Sequence, residues 1–322
     1  MLRHFVAKHL GIIFYLVALG SSLWPLASCS RMEVSESQKK LSVLFVGSSF
    51  GVNTFAQFPA LATAGGVSIT AIGAYQGGMT LKDLRRLIEN SSAIMESYKY
   101  TSGDLSWINN GPMLFEKLLL TEKWDIIILQ RAAPGKDGGS DIWSIDMAED
   151  LSFILRFIED RVSYQPIIMF NSCFSRPICF FESREEQVSQ TTAIMNTAKL
   201  VEEDFRISII PAAVAIQKAR STDLAYLKTS NSLQYPIPDL TGLEQHLDTG
   251  VGSYVLGCLL FEQICKPIVG ISITEIDYIP TLKDVKGFVF DDKWFTQISE
   301  DDAKIAKQCA LYALDNPYVF CD

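Results

Sequence analysis

Hydrophobic and polar positions along this chain alternate between short, nearly continuous apolar runs and segments of helical period. Leu41 to Val46 is the first run, and it ends at Gly47, Ser48 and Ser49. Similar runs recur at Val67 to Ile72, Trp124 to Leu129, Pro166 to Phe170 and Ile207 to Ile210. A run apolar on both faces predicts a buried strand of a parallel sheet, because a half-exposed strand would alternate instead. Between and after the runs, helices are predicted over Pro59 to Ala64, Leu81 to Glu89, Pro112 to Thr121 and Ile142 to Val162. Further helices follow over Glu185 to Phe205, Ala212 to Arg220, a largely apolar stretch ending near Ile264, and Asp301 to Leu314. This alternation predicts an α/β fold: a parallel five-stranded sheet with helices on both faces and right-handed crossovers. Ser97 to Asn110 alternates aromatic and polar residues and predicts a small inserted hairpin. Ser221 to Leu240 is polar and irregular, and Ile271 to Phe290 is expected to be strand and loop.

The first 29 residues follow a different pattern. A basic start (Arg3, Lys8) and an apolar stretch from Leu10 to Leu19 lead to small residues before Cys29, the layout of a secretory signal. Leu26-Ala27-Ser28-Cys29 resembles the bacterial lipobox, which implies lipidation of Cys29 and attachment to a membrane after export. Residues 30–40 are polar and suit a tether, which leaves 41–322 for a single domain. Without Arg3 and Lys8 the chain carries 26 basic against 37 acidic residues, a net charge of −11. That balance excludes nucleic acid as a partner, since phosphate binding needs a basic patch.

Cysteine and histidine usage narrows the chemistry. Beyond Cys29 lie Cys173, Cys179, Cys258, Cys265, Cys309 and Cys321. Cys258 and Cys265 are seven apart in a helical pattern, about 10 Å along the axis, too far to bridge. Cys173 and Cys179 are close enough to pair across a loop, although buried free thiols are the expectation for the set. There is no Cys-x-x-Cys, and His246 is the one histidine after the leader, so neither a metal site nor a cofactor is expected. If catalysis uses an imidazole, it uses His246.

Strand ends are where open α/β sheets place their sites, so Gly47-Ser48-Ser49, Gly77-Gly78, Gln130-Arg131 and Asn171-Ser172 are expected along one edge. A serine becomes a nucleophile when a base takes its proton, and acyl transfer needs donors for the oxyanion. The chain supplies serines, one imidazole, glycine N–H groups and a side-chain amide. Each also has a plainer reading. Ser48 and Ser49 serve as a turn and cap, Gly77 and Gly78 as a tight turn, Gln130 as a buried amide, and His246 as a structural residue at a helix start.

The ordered set Gly47-Ser48-Ser49-Phe50, Gly77-Gly78-Met79-Thr80-Leu81, Trp124-Asp125 through Leu129-Gln130, and His246-Leu247 through Gly250, Gly252 and Tyr254 resembles the SGNH (GDSL-type) hydrolase superfamily. The likeness is to an exported bacterial branch of it, and Ile210-Pro211 through Gln217 and Ala219-Arg220 matches that branch as well. The resemblance implies a flavodoxin-like three-layer sandwich, Ser49 as nucleophile and His246 as general base. It implies Ser49, Gly78 and Gln130 as oxyanion donors, with Gln130 replacing the usual asparagine. Two positions depart from the pattern. Ser48 stands where the motif has Asp or Asn and is itself a rival nucleophile, and Leu243 stands where the acid partner of His246 belongs. Loss of that carboxylate costs triad enzymes about 10⁴ in rate. Glu244 is the nearest substitute, ahead of Asp239 and Asp248, and a backbone carbonyl is the other way to orient the ring.

The expected function is hydrolysis of an acylated carbohydrate or similar polar ester. Two other readings stand beside it: a glycan-binding lipoprotein on a degenerate SGNH scaffold, and a flavodoxin-like protein using Gly47-Ser48-Ser49 to hold a flavin or phosphate.

Overall fold

The computed structural model describes residues 39–130, 144–227, 239–242, 245–288 and 294–320. The first apolar run becomes strand β1 (Lys39–Gly47), followed by helices α1 (Ser49–Phe55) and α2 (Phe58–Ala64) and strand β2 (Val67–Tyr75). Helix α3 (Leu81–Glu89), the hairpin β3 (Ile94–Thr101) and β4 (Trp107–Leu114), helix α4 (Phe115–Leu120) and strand β5 (Ile126–Gln130) come next. Helix α5 (Ile145–Arg161), strand β6 (Ile167–Asn171), helix α6 (Arg184–Phe205), strand β7 (Ser208–Ile210), helix α7 (Ala212–Arg220) and helix α8 (Val251–Leu260) complete the core, with a closing helix at Glu300–Asp315.

The seven strands form one sheet in the order β4-β3-β2-β1-β5-β6-β7. The five predicted strands are its parallel part, and they run through the middle of the sheet to one edge. The count of five is corrected to seven because the hairpin is not an insertion beside the sheet. It pairs antiparallel with β2 and extends that edge. Side chains alternate across β1: Val43 and Phe45 pack beneath α1, α2, α7 and α8, whereas Leu44 and Val46 pack against α3, α4 and α5.

Local chemistry accounts for several boundaries. Helix α3 begins where expected because Thr80 and Asp83 form a reciprocal capping box, at 2.9 and 3.2 Å. Pro112, expected to start a helix, lies instead within β4, where an edge strand tolerates the missing N–H, so α4 begins at Phe115. Helix α8 widens into a π turn at Phe261–Cys265 just ahead of Pro267, whose ring and absent N–H disrupt the regular ladder. The expected strand in the tail is not present among the described residues. A 3₁₀ turn (Ile273–Glu275) and a short helix (Leu282–Val285) take its place. No helix among the described residues is long and apolar enough to cross a membrane. Cys29 and residues 30–38 of the expected tether fall outside the described residues, whereas Lys39 and Lys40, expected in the tether, belong to β1 because both pair with β2.

Candidate active site

The strand order reverses between β1 and β5, the switch point at which doubly wound sheets form a crevice at their carboxyl ends. Ser49 leaves the end of β1 and Gln130 is the last residue of β5, so the two flank that crevice. Ser48 caps α1 with extended backbone, φ −91° and ψ −177°, but its side chain makes no cap bond. Its hydroxyl is fully buried and has no hydrogen-bond partner. Ser49, the first residue of α1, is half-buried, and its Oγ lies 2.8 Å from His246 Nε2. The two serines are thereby separated: one faces the fold and the other faces the imidazole.

Helix α1 also holds the segment that carries His246. One turn after Ser49, Asn53 donates its side-chain amide to the Leu247 carbonyl at 3.0 Å. Gln57, in the link to α2, donates to the carbonyls of Thr249 at 2.5 Å and Gly250 at 2.7 Å. The segment folds back on itself through Gly242 N–H to the His246 carbonyl and Asp248 N–H to the Leu240 carbonyl, both 2.8 Å. A Cβ on Gly242 would stand 2.8 Å from the Leu247 oxygen, so this turn requires glycine. The His246 ring packs on Phe50 with centroids 5.2 Å apart, and Phe50 stacks on Phe174 at 4.7 Å.

Of the three candidate acids, Asp239 and Asp248 are engaged as anchors. Asp248 Oδ1 accepts from the N–H groups of Gly250, Val251 and Thr296 at 2.9 to 3.0 Å, and Oδ2 accepts from the Thr296 hydroxyl at 3.0 Å. It therefore caps the start of α8, where a carboxylate suits the unpaired N–H groups. Asp239 is fully buried against Arg220, with Arg220 Nε 2.7 Å from its Oδ1. Burial pulls the Arg220 guanidinium below its ordinary pKa, and the Asp239 charge opposes that pull. Glu244 and Leu243 fall outside the described residues, as does Arg131.

Gln130 is 3 % exposed, and neither atom of its side-chain amide has a hydrogen-bond partner. It therefore does not satisfy loop backbone. The amide lies against Gly47 and Gly51, where added Cβ atoms would stand 2.7 and 2.5 Å from its Oε1. Both glycines thus make room for Gln130 and the Phe45 ring beneath the turn bearing Ser49, the ring being the nearer neighbour at Gly51. Gly78 has φ +67°, the left-handed region that favours glycine. Its turn is tied to β1 by Gln76 N–H donating to the Gly47 carbonyl at 3.2 Å. Asn171 and Ser172 reach the same sheet edge but turn inward. Asn171 donates to Thr54 Oγ1 at 3.0 Å, and Ser172 Oγ accepts from Ala213 N–H at 3.1 Å.

Cys179 carries a free thiol and so does not pair with Cys173; Cys258, Cys265 and Cys309 are thiols as well, and burial pushes these three up to about 12. Among the described residues no cluster of ligating side chains suits a metal ion. The contributions of Asn53, Gln57 and Phe174 were not apparent from the sequence, although Ser49 and Asn53 stand at the four-residue spacing that places them on one helix face.

A crystal structure of a DUF4886 family protein from Bacteroides uniformis shares the fold, with a TM-score of 0.68 and 23 % identity over 88 % of this chain and 98 % of that one. A catalytic mutant of Axe2, an acetylxylan esterase from Geobacillus stearothermophilus, is more distantly similar, with a TM-score of 0.43 and 12 % identity over 72 % of this chain and 95 % of that one. The acetyl xylan esterase AlAXEase gives 0.38 and 13 % over 67 % and 96 %. No curated protein matches the chain. The model of the family described as a domain of unknown function (DUF4886) matches residues 42–281, and this chain belongs to that family.

Proposed function

We propose that the protein is a serine-dependent carboxylic ester hydrolase of the SGNH type, acting on an acylated carbohydrate or a similar polar ester. The observation that carries this reading is the 2.8 Å approach of Ser49 Oγ to His246 Nε2 at the switch point of the sheet. That distance lies within hydrogen-bond reach, which a nucleophile and its base require.

In this reading the Ser49 oxygen attacks the ester carbonyl carbon while its proton passes to His246 Nε2. The carbonyl oxygen becomes an oxyanion held by the N–H groups of Ser49 and Gly78 and by the Gln130 amide. Collapse breaks the bond to the alcohol, which leaves with the proton from His246, and the acyl group stays on Ser49. Water then repeats the sequence and releases the carboxylic acid. Glu244 is the carboxylate proposed to orient His246, because Asp239 and Asp248 already anchor the loop through other partners. The leader pattern supports export, with a lipid on Cys29 holding the domain to a membrane.

Purified protein is tested with a p-nitrophenyl acyl ester and with a fluorophosphonate that labels activated serines. Ser49→Ala and His246→Ala are expected to abolish both reactions while circular dichroism and the melting temperature remain near wild type. Hydrolysis by folded Ser49→Ala protein would sink the proposal. Binding of acylated oligosaccharide by wild-type protein with neither turnover nor labelling would establish the degenerate-scaffold reading instead.

A further inference from the structure

Arg220 lies at the end of α7, outside the crevice, yet it holds both walls of the Ser49–His246 site. Its side chain is 1 % exposed. One arm reaches the loop after β6: Nη1 donates to Ser175 Oγ at 2.6 Å, and Nη2 donates to the Ser175 carbonyl at 3.1 Å. Ser175 follows Phe174, whose ring stacks on Phe50, which in turn packs on His246. The other arm faces Asp239, with Nε 2.7 Å from Oδ1. Asp239 precedes Leu240, whose carbonyl accepts the Asp248 N–H, and Thr241 bridges to Leu247 beside His246. Arg184, Gln187 and the Ile178 N–H also converge on the Asp239 carboxylate.

A second observation falls at the same place. Cys173 and Leu240 are non-glycine residues with φ of +66° and +56°, and both are fully buried. One lies two residues before Ser175 and the other directly after Asp239, so the two segments gripped by Arg220 are also two that hold left-handed backbone. Such backbone persists where surrounding contacts over-determine it, and it concentrates at functional sites. A planar guanidinium presents donors at fixed angles, which lets one side chain fix two segments relative to each other.

We infer that Arg220 and Asp239 form a buried positioning pair that sets the orientation of His246 toward Ser49 and keeps Phe174 and Phe50 stacked behind the ring. The pair touches no substrate. Its effect on turnover rests on the proposed hydrolase reading, whereas its effect on His246 does not. A lysine at 220 keeps the charge but has no fork, so it holds Asp239 or Ser175, and not both.

The experiment compares wild-type, Arg220→Lys and Ser175→Ala protein by two measurements on the full chain. The first is the rate at which a fluorophosphonate labels Ser49, per folded molecule. The second is the position of the His246 ring C–H resonances, assigned as those lost in His246→Gln among the three histidines present. For Arg220→Lys, labelling is expected to fall about 10²-fold, the scale for small misplacement of a catalytic group, and the His246 resonances to shift. Ser175→Ala cuts one bond and is expected to move both in the same direction by less, and it decides the matter if Arg220→Lys does not fold. Folded variants with wild-type labelling and unmoved resonances would overturn the inference. If wild-type protein does not label at all, shifted resonances still establish the positioning pair while the hydrolase reading fails.

Discussion

Asn53 donates its side-chain amide to the Leu247 carbonyl at 3.0 Å, joining the helix that begins with Ser49 to the loop that carries His246. Asn53 is fully buried, so its loss leaves the Leu247 oxygen without water to replace the donor. An orphaned buried acceptor costs about 1–3 kcal/mol. Asn53→Ala is therefore expected to lower unfolding stability by that amount in urea titrations. It should also slow Ser49 labelling, because the histidine loop loses its nearest tether to α1. Full labelling in a destabilised variant would show that Gln57 and Asp248 hold the loop without help.

The hydroxyl of Ser48 makes no hydrogen bond and is fully buried, so it contributes desolvation cost without a compensating partner. Ser48→Ala is expected to leave ester hydrolysis unchanged and to raise stability by about 1 kcal/mol. Thermal unfolding and p-nitrophenyl ester assays on the same preparation check both parts. Loss of hydrolysis in Ser48→Ala would restore Ser48 as a rival to Ser49.

Much of the fold was legible because its signals are local. Thr80 and Asp83 announce the start of α3, and Pro211 marks the turn into α7, so both helices keep their expected bounds. The hairpin was legible as a hairpin, but alternation along Tyr98 and Tyr100 says which faces are buried and nothing about the neighbouring strand. Pro112 misled because proline is acceptable both at a helix start and on an edge strand, and only pairing with Glu96 separates the two.

For the site, Ser49 and His246 are 197 residues apart, and their pairing was suggested by the order of motifs and by the scarcity of histidine. Asp239 and Asp248 remained candidates because sequence proximity to His246 does not tell which way a carboxylate turns. Asn53, Gln57 and Phe174 act through backbone carbonyls or ring packing, which leave no compositional mark. Arg220 belonged to a recognised motif, but nothing in that motif stated its partners.

Cysteine reactivity separates the described thiols sharply. Cys179 is exposed, whereas Cys173, Cys258, Cys265 and Cys309 are buried. Burial pushes Cys258, Cys265 and Cys309 up to about 12, so at pH 8 they stay protonated and lack the reactive thiolate. Iodoacetamide on native protein is expected to modify Cys179 and to spare the four buried cysteines until urea unfolds the domain. Peptide mapping by mass spectrometry reads the outcome, and native-state labelling of Cys258 would contradict the packing of α8.

Gln130 presents the sharpest conflict between stability and activity. Its amide is buried against Gly47 and Gly51 with neither polar atom bonded, a state that costs stability in the resting protein. In the proposed hydrolase mechanism, an unsatisfied donor beside Ser49 would repay that cost when negative charge develops on a bound carbonyl oxygen. Gln130→Met keeps the length of the side chain and removes both polar atoms. It is expected to raise unfolding stability by about 1–3 kcal/mol. The same change should lower kcat about 10²–10³-fold, the loss that follows removal of one oxyanion donor. KM should move little, since the interaction forms chiefly in the transition state. A variant that is more stable and equally active would show that Gln130 is a packing residue, leaving the oxyanion to the backbone donors of Ser49 and Gly78.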